Sequence, residues 1–295
     1  MGSFKPGIKT LSLGYFILIC PLLNGLNIIF DLGEVLIKTD TLMALRHMGF
    51  SPIAHHLLNN PHKLLNVSTF LQYECLFRFL NKVAPRLPDQ VDARDQHGIL
   101  LPRIMCEWLD GTTSNRQTRE LLLIALDEHP EYCRSQSERE MIRAMITMMF
   151  TPEIYVTTRK LIPSMADFVK ECKAQGHQLF VLSNWDRESF ELFKQMHPAF
   201  FDQFDGIVLS GEVGSLKPDP APYNHLLHTH KLLPQDSIFF DDRIENIKTA
   251  KALNMGGCVV TKKQTYQCPL KSDIDVDALR NYLAQKNVSA AAPAA

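Results

Sequence analysis

Strand and helix signals alternate from about residue 160 to residue 260, an order that predicts an α/β fold built on a parallel sheet. Between about 41 and 155 the apolar pattern is helical and strand runs are missing, so a helical block is expected inside the α/β chain, after its first strand. Composition agrees with a folded chain. Among 295 residues, 31 Lys+Arg stand against 32 Asp+Glu and 45% are hydrophobic, which excludes disorder and a broadly basic nucleic-acid surface.

In chain order, Asn27 to Phe30 reads as a short buried strand. Asp40 caps a helix running to Met48 and stopped by Gly49, and Ser51-Pro52 supplies an N-cap and first-turn proline for the next. Ser68 to Lys82 carries an apolar stripe through Phe70, Leu71, Leu76, Phe77 and Leu80. Ser137 and Glu140 have the spacing of a capping box ahead of Met141 to Met149. The second half reads helix Met165 to Ala174 closed by Gly176, strand Gln178 to Leu182, helix Arg187 to Met196 and strand Gly206 to Ser210. Helix Tyr223 to His230, strand Ser237 to Phe240, helix Ile244 to Leu253 and strand Cys258 to Val260 complete the alternation, with right-handed crossovers.

The ends read differently. Thr10 to Phe30 carries no charge and follows Lys5 and Lys9, the outline of a signal peptide or membrane anchor. Ser12, Gly14, Pro21, Asn24 and Gly25 interrupt the run, and no A-x-A cleavage site follows. The expectation is an N-terminal extension, residues 1–25, packed on a cytoplasmic protein; export or anchoring through residues 10–25 is the alternative. Residues 286–295 read as a flexible tail. Seven cysteines without a C-x-x-C pair indicate reduced thiols serving as core filler, and neither a disulfide framework nor a structural zinc site.

In open α/β sheets, function gathers at the carboxyl ends of the strands. Asp31 follows the first predicted strand, Ser183-Asn184 the second, and Asp241-Asp242 the fourth; past the third, a loop leads to Lys217-Pro218. This set suits nucleophilic attack by a carboxylate on an anionic phosphoryl group. Asp31 would form an aspartyl-phosphate. The charge calls for Mg²⁺, with oxygen ligands from Asp31, a backbone carbonyl near Gly33, and Asp241 or Asp242. Lys217 adds a fixed ammonium, while Ser183 and backbone N–H groups near Asn184 can hold phosphoryl oxygens. Asn246, on the first turn of the following helix, either orients the Asp pair or is a solvated helix position.

The segments Ile28 to Leu36, Leu182 to Asn184, Leu216 to Pro218 and Phe239 to Asn246 resemble the four motifs of the haloacid dehalogenase superfamily, over about 26–262. The resemblance implies a Rossmann-like parallel-sheet core, residues 26–40 and 156–285, with an inserted all-helical cap domain, residues 41–155. It implies a Mg²⁺-dependent phosphatase of a small phosphorylated metabolite. In it Asp31 is the nucleophile, Ser183 and Lys217 bind phosphate, and Asp241 and Asp242 are the metal-side acids. Gly33 departs from the pattern, because most such phosphatases carry a general-acid Asp there. The Asp-x-Gly-x-Val subset that shares the glycine resembles phosphatases of sugar phosphates, the favoured substrate class. Losing a general acid costs about 10²–10⁴ in rate, least for a good leaving group, and Glu34 is the nearest substitute acid.

Two other readings stay open: a 2-haloacid dehalogenase using Asp31 without metal, and a weakly catalytic scaffold that binds a protein partner through its large cap. The strings His225/His228/His230 and His55/His56/His62 read as solvated imidazoles. No G-x-G-x-x-G, Walker loop, G-x-S-x-G elbow or basic run supports a dinucleotide, ATP or nucleic-acid partner.

Overall fold

Asn27–Phe30 is apolar on both faces apart from its first residue, and a strand buried on both faces belongs in the middle of a parallel sheet. A computed structural model describes residues 25–49, 53–54, 74–95, 97–263 and 273–291 and places this strand there. The elements are β1 (Asn27–Phe30), β2 (Ile37–Thr39), α1 (Thr41–Met48), α2 (Glu74–Val83), α3 (Arg103–Leu109), α4 (Asn115–Glu128), α5 (Gln136–Met149) and α6 (Pro152–Thr157). They continue with β3 (Arg159–Leu161), α7 (Pro163–Ala174), β4 (Gln178–Ser183), α8 (Arg187–Met196), α9 (Pro198–Phe201), β5 (Gly206–Leu209) and α10 (Ser210–Val213). The last are α11 (Pro220–Thr229), β6 (Ser237–Asp241), α12 (Ile244–Ala252), β7 (Gly256–Val259) and α13 (Val276–Ala291).

The main sheet has the order β5-β4-β1-β6-β7, all parallel. Alternation along each strand divides its core. Ile28, Phe30, Val181 and Phe240 pack with Phe168 of α7 on one face, whereas Ile29, Phe180, Leu182 and Phe239 pack with Tyr223 of α11 on the other. Helices α1 to α5 share a separate core around Leu80, Trp108, Leu122, Met145 and Phe150. The chain leaves for these helices along β2 and returns along β3, which pair antiparallel as a two-stranded ribbon that the sequence reading did not anticipate. Both strands are three residues long, too short for a visible period-2 pattern.

Several boundaries shift. Asp40 caps α1, its carboxylate accepting from Met43 N–H. The capping residue of α5 is Ser135 rather than Ser137: the S-x-x-E spacing occurs twice, and the earlier copy is used, with the Ser135 hydroxyl accepting from Glu138 N–H. Glu138 is anchored there by Arg78 and by the N–H of Arg134, while Ser137 is buried. Ser210 opens α10 instead of ending β5, β7 begins at Gly256, and α13 runs into the segment read as a tail. The Ser51-Pro52 helix start, His55, His56 and His62, the beginning of the Ser68–Lys82 helix, Cys20 and Cys268, nearly all of the 1–25 extension and residues 292–295 lie outside the described residues. The five described cysteines are free thiols. Among the described residues no helix is long and apolar enough to cross a membrane.

The start of β1 is fastened to that of β4. A Cβ on Gly25 would stand 2.1 Å from Gly176 O, so only glycine permits this approach. Beside it the His177 ring accepts the Leu26 N–H at Nδ1, 3.1 Å away, and burial lowers the His177 pKa below its ordinary 6.5. An imidazole kept neutral in the fold but protonated in the unfolded chain stabilises fully above pH 6.5 and progressively less below it. His177→Ala should therefore cost about 1–3 kcal/mol at pH 7.5, through the stranded Leu26 N–H. Its deficit against the parent protein in urea unfolding should narrow as the pH falls toward 5. A deficit that widens would contradict a neutral buried ring.

Candidate functional site

Three adjacent strands end in polar residues at one edge of the sheet. Asp31 directly follows β1, and its N–H still donates to Phe240 O at 2.9 Å, so the sheet holds it. Ser183 and Asp241 are the last residues of β4 and β6. Lys217 comes from the loop after α10, and the Asn184 side chain clamps its backbone: Nδ2 donates to Lys217 O at 2.9 Å, and Lys217 N–H donates to Oδ1 at 2.8 Å. The Lys217–Pro218 peptide in this loop is cis.

Lys217 is buried, and its ammonium uses all three donors. Nζ lies 2.8 Å from Asp31 Oδ1, 2.8 Å from Asp241 Oδ2 and 2.9 Å from Leu182 O. Asp241 is fully buried and saturated. Besides Lys217, it accepts from Arg243 N–H at 2.7 Å and from Asn246 Nδ2 at 3.0 and 2.9 Å. Asn246 is thus a buried residue that orients Asp241, the first of its two readings. Burial would lower the Lys217 pKa, but Asp241 and Asp31 hold it above its ordinary value, so the ammonium stays charged.

Among the described residues Asp242 has no such hydrogen-bonded partner. Burial, with Asp31 and Asp241 nearby, pushes its carboxyl up to about 7. Asp31, Asp241 and Asp242 each offer an oxygen, all within 4.8 Å of one another, and they form the one such group of three among the described residues. Three carboxylates against one ammonium suit a hard divalent cation with oxygen ligands, so the donor set fits Mg²⁺.

Asp31, Gly33, Ser183, Asn184, Lys217 and Asp242 line one cavity of about 220 Å³, and Asp241 supports them from behind. Glu34 also reaches the cavity, from a left-handed backbone (φ 56°), but its carboxylate is paired with Lys262 at 2.7 Å. His225 and His228 are exposed on α11, as a solvated string requires, while His230 packs on the Phe180 ring with centroids 5.1 Å apart.

The rest of the cavity lining lies outside the sequence-predicted site residues. Ile37, Leu101, Met105, Trp108, Tyr155 and Trp185 make it apolar and aromatic, and Arg94, Arg159 and Arg243 bring guanidinium groups to it. Trp185 and Arg243 sit beside Asn184 and Asp242, so reading one residue further past each strand would have found them. Arg94 lies outside helices and strands, and Trp108 follows the same apolar period as core residues, so neither carried a signal. Trp108 is fixed by a buried relay: its Nε1 donates to Asn115 Oδ1 at 2.8 Å, and Asn115 Nδ2 donates to Asp186 Oδ1 at 2.7 Å. Close by, Ser210 Oγ donates to Leu109 O at 2.6 Å, so α3 and α4 are tied to the sheet at the cavity rim.

A family model described as haloacid dehalogenase-like hydrolase matches residues 107–260, just over half of the 295-residue chain. The chain belongs to that family. As a haloacid dehalogenase-like hydrolase it is an enzyme with the expected parallel-sheet α/β core, and the match takes in Ser183, Lys217, Asp241 and Asp242. It is 34% identical over 97 residues to the sesquiterpene phosphatase astK of Aspergillus oryzae (strain ATCC 42149 / RIB 40), covering 33% of this chain and 49% of that one. It is 36% identical over 77 residues to bifunctional epoxide hydrolase 2 of Mus musculus, covering 25% of this chain and 14% of the other. The aligned segments thus span half or less of these curated relatives. A haloacid dehalogenase family enzyme from Bacteroides thetaiotaomicron shares the fold at TM-score 0.50 and 14% identity, covering 84% of this chain and 98% of that one. The same enzyme has been solved as a magnesium complex (TM-score 0.49, 15% identity, covering 82% and 96%).

Proposed function

We propose that this hydrolase is a Mg²⁺-dependent phosphatase of a small phosphorylated molecule, with Asp31 as nucleophile. The observation that carries it is the juxtaposition of Asp31, Asp241 and Asp242, two of which share the buried ammonium of Lys217. Asp31, Asp242 and the Gly33 carbonyl would hold the metal, with Asp241 either joining them or orienting Lys217. When bound, Mg²⁺ supplies Lewis-acid stabilisation of phosphoryl charge. Asp31 attacks phosphorus from the cavity floor, Lys217 holds it in place, and Ser183 with the backbone N–H groups near Asn184 receives phosphoryl oxygens. Residues 41–155 act as a cap whose α3 and α4 close the cavity and exclude water.

The wall refines the substrate. An apolar and aromatic surface of Ile37, Met105, Trp108, Tyr155 and Trp185 suits an apolar alcohol portion better than the sugar favoured from sequence. The sesquiterpene phosphatase relative points the same way. Glu34, held by Lys262, is poorly placed to supply the missing proton, so the leaving group must depart as a stable anion.

The test is phosphate release from p-nitrophenyl phosphate with Mg²⁺ or with EDTA. Metal-dependent release is expected. No release from any phosphoester would overturn the proposal, and halide release from 2-chloropropionate in EDTA would replace it with the dehalogenase reading.

A further inference from the structure

The three arginines of the cavity wall are short of counter-charge. Partly buried guanidinium groups normally face carboxylates. Arg94 donates to the Gly98 carbonyl at 2.9 Å; Arg159 donates to the Thr39 hydroxyl and lies 4.3 Å from the Tyr155 ring centroid. Among the described residues neither has a carboxylate within ion-pair distance, and the nearest to Arg243 is Glu245 at 3.9 Å. Nε of Arg159 and Nε of Arg243 are buried without a hydrogen-bond partner among the described residues.

Of the four carboxylates that line the cavity, Asp242 stands at the cation site, near Arg243, and the other three are committed elsewhere. Asp31 serves Lys217, Glu34 serves Lys262, and Asp95 Oδ1 accepts the N–H groups of His97 and Ile99. A phosphoryl group at Asp31 already has Lys217 and the cation site. Arg94 and Arg159, joined by Arg243 with its long 3.9 Å pair to Glu245, therefore call for a second anion on the leaving-group side.

We propose that the substrate is a diphosphate monoester of an apolar alcohol, its inner phosphate held by Arg94, Arg159 and Arg243 and its organic group laid on the aromatic wall. The inference rests on the phosphatase reading and makes chemical sense of Gly33. Asp31 forms a bond to the terminal phosphorus while the bond from that phosphorus to the bridging oxygen breaks. The electron pair stays on the bridging oxygen, and the alkyl monophosphate leaves without needing a proton. Water then attacks the phosphorus of the aspartyl-phosphate, releasing hydrogen phosphate, restoring the Asp31 carboxylate and passing one proton to solvent.

Titration calorimetry of the full chain with Mg²⁺ compares methylenediphosphonate with inorganic phosphate. The diphosphonate should bind at least about tenfold tighter, and Arg94→Gln and Arg159→Gln should each erode that ratio severalfold or more. Arg159→Lys, which keeps the charge and loses the fork, should retain part of it. In turnover, octyl diphosphate should exceed octyl monophosphate at least about 100-fold in kcat/KM, the range of a spared general acid, with octyl monophosphate as product. Equal affinity for the two anions, or arginine variants that weaken both alike, overturns the second-anion site even where p-nitrophenyl phosphate is hydrolysed. Absence of phosphate release from every substrate with the binding preference intact overturns the phosphatase reading, and the proposed cleavage with it.

Discussion

Asp31→Asn is expected to reduce phosphate release by at least about 10³-fold while leaving the protein folded. Asparagine has the shape of aspartate and still offers an oxygen to Lys217 Nζ, so the 2.8 Å contact survives as a weaker neutral-acceptor bond. What disappears is the anionic oxygen proposed to attack phosphorus. The substitution also removes one of three crowded negative charges, so the remaining repulsion on Asp242 falls and offsets part of the lost ion pair. Thermal unfolding should shift by no more than a few degrees. Turnover near the parent rate would show that the attacking group lies elsewhere. A large fall in Tm would show that the charge of Asp31 serves mainly to fold the chain.

Lys217→Met is expected to damage stability as well as chemistry. Methionine fills most of the volume but leaves the buried Asp241, the nearly buried Asp31 and the Leu182 carbonyl without their shared donor. Removing one partner of a buried charge cluster costs about 3–5 kcal/mol, which for a chain of this size is a fall in Tm on the order of 10 °C. Added Mg²⁺ should recover part of the loss, because a divalent cation compensates the same carboxylates. Lys217→Arg should not rescue activity, since a planar fork cannot replace one compact ammonium reaching three acceptors. An unchanged Tm in the methionine variant would refute the bridging role.

The legible parts of this protein share a physical cause. β1, β4 and β6 are apolar on both faces, so each appears as an unbroken run, and the polar residue ending the run marks the sheet edge where ligands bind. Asp31, Ser183, Asp241 and Asp242 are visible for that reason. In the sequence Asn184 is legible only as a backbone donor, because its clamp on Lys217 depends on a loop 33 residues away. The cavity wall was hidden. Trp108 and Tyr155 obey the helical period of a core, and Arg94 and Arg159 gain meaning only when folding brings irregular and ribbon segments over the sheet. The cap of α5 falls at Ser135 rather than Ser137 because two serines offer the same spacing, and Arg78, 60 residues distant from Glu138, anchors the earlier copy.

The central position of β1 has a consequence for how the protein is made. Its partners in the sheet begin far along the chain: Asn27 meets Ser237 across 210 residues. At a synthesis rate of about 5–20 residues per second, roughly 10–40 s separate the emergence of the strand carrying Asp31 from that of the strand that completes its pairing. Meanwhile, the helices between β2 and β3 can assemble around their own core, while Asn27–Phe30 waits with both edges unpaired. A ribosome-bound chain at that stage exposes its future central strand as the segment most open to chaperone capture or misassociation.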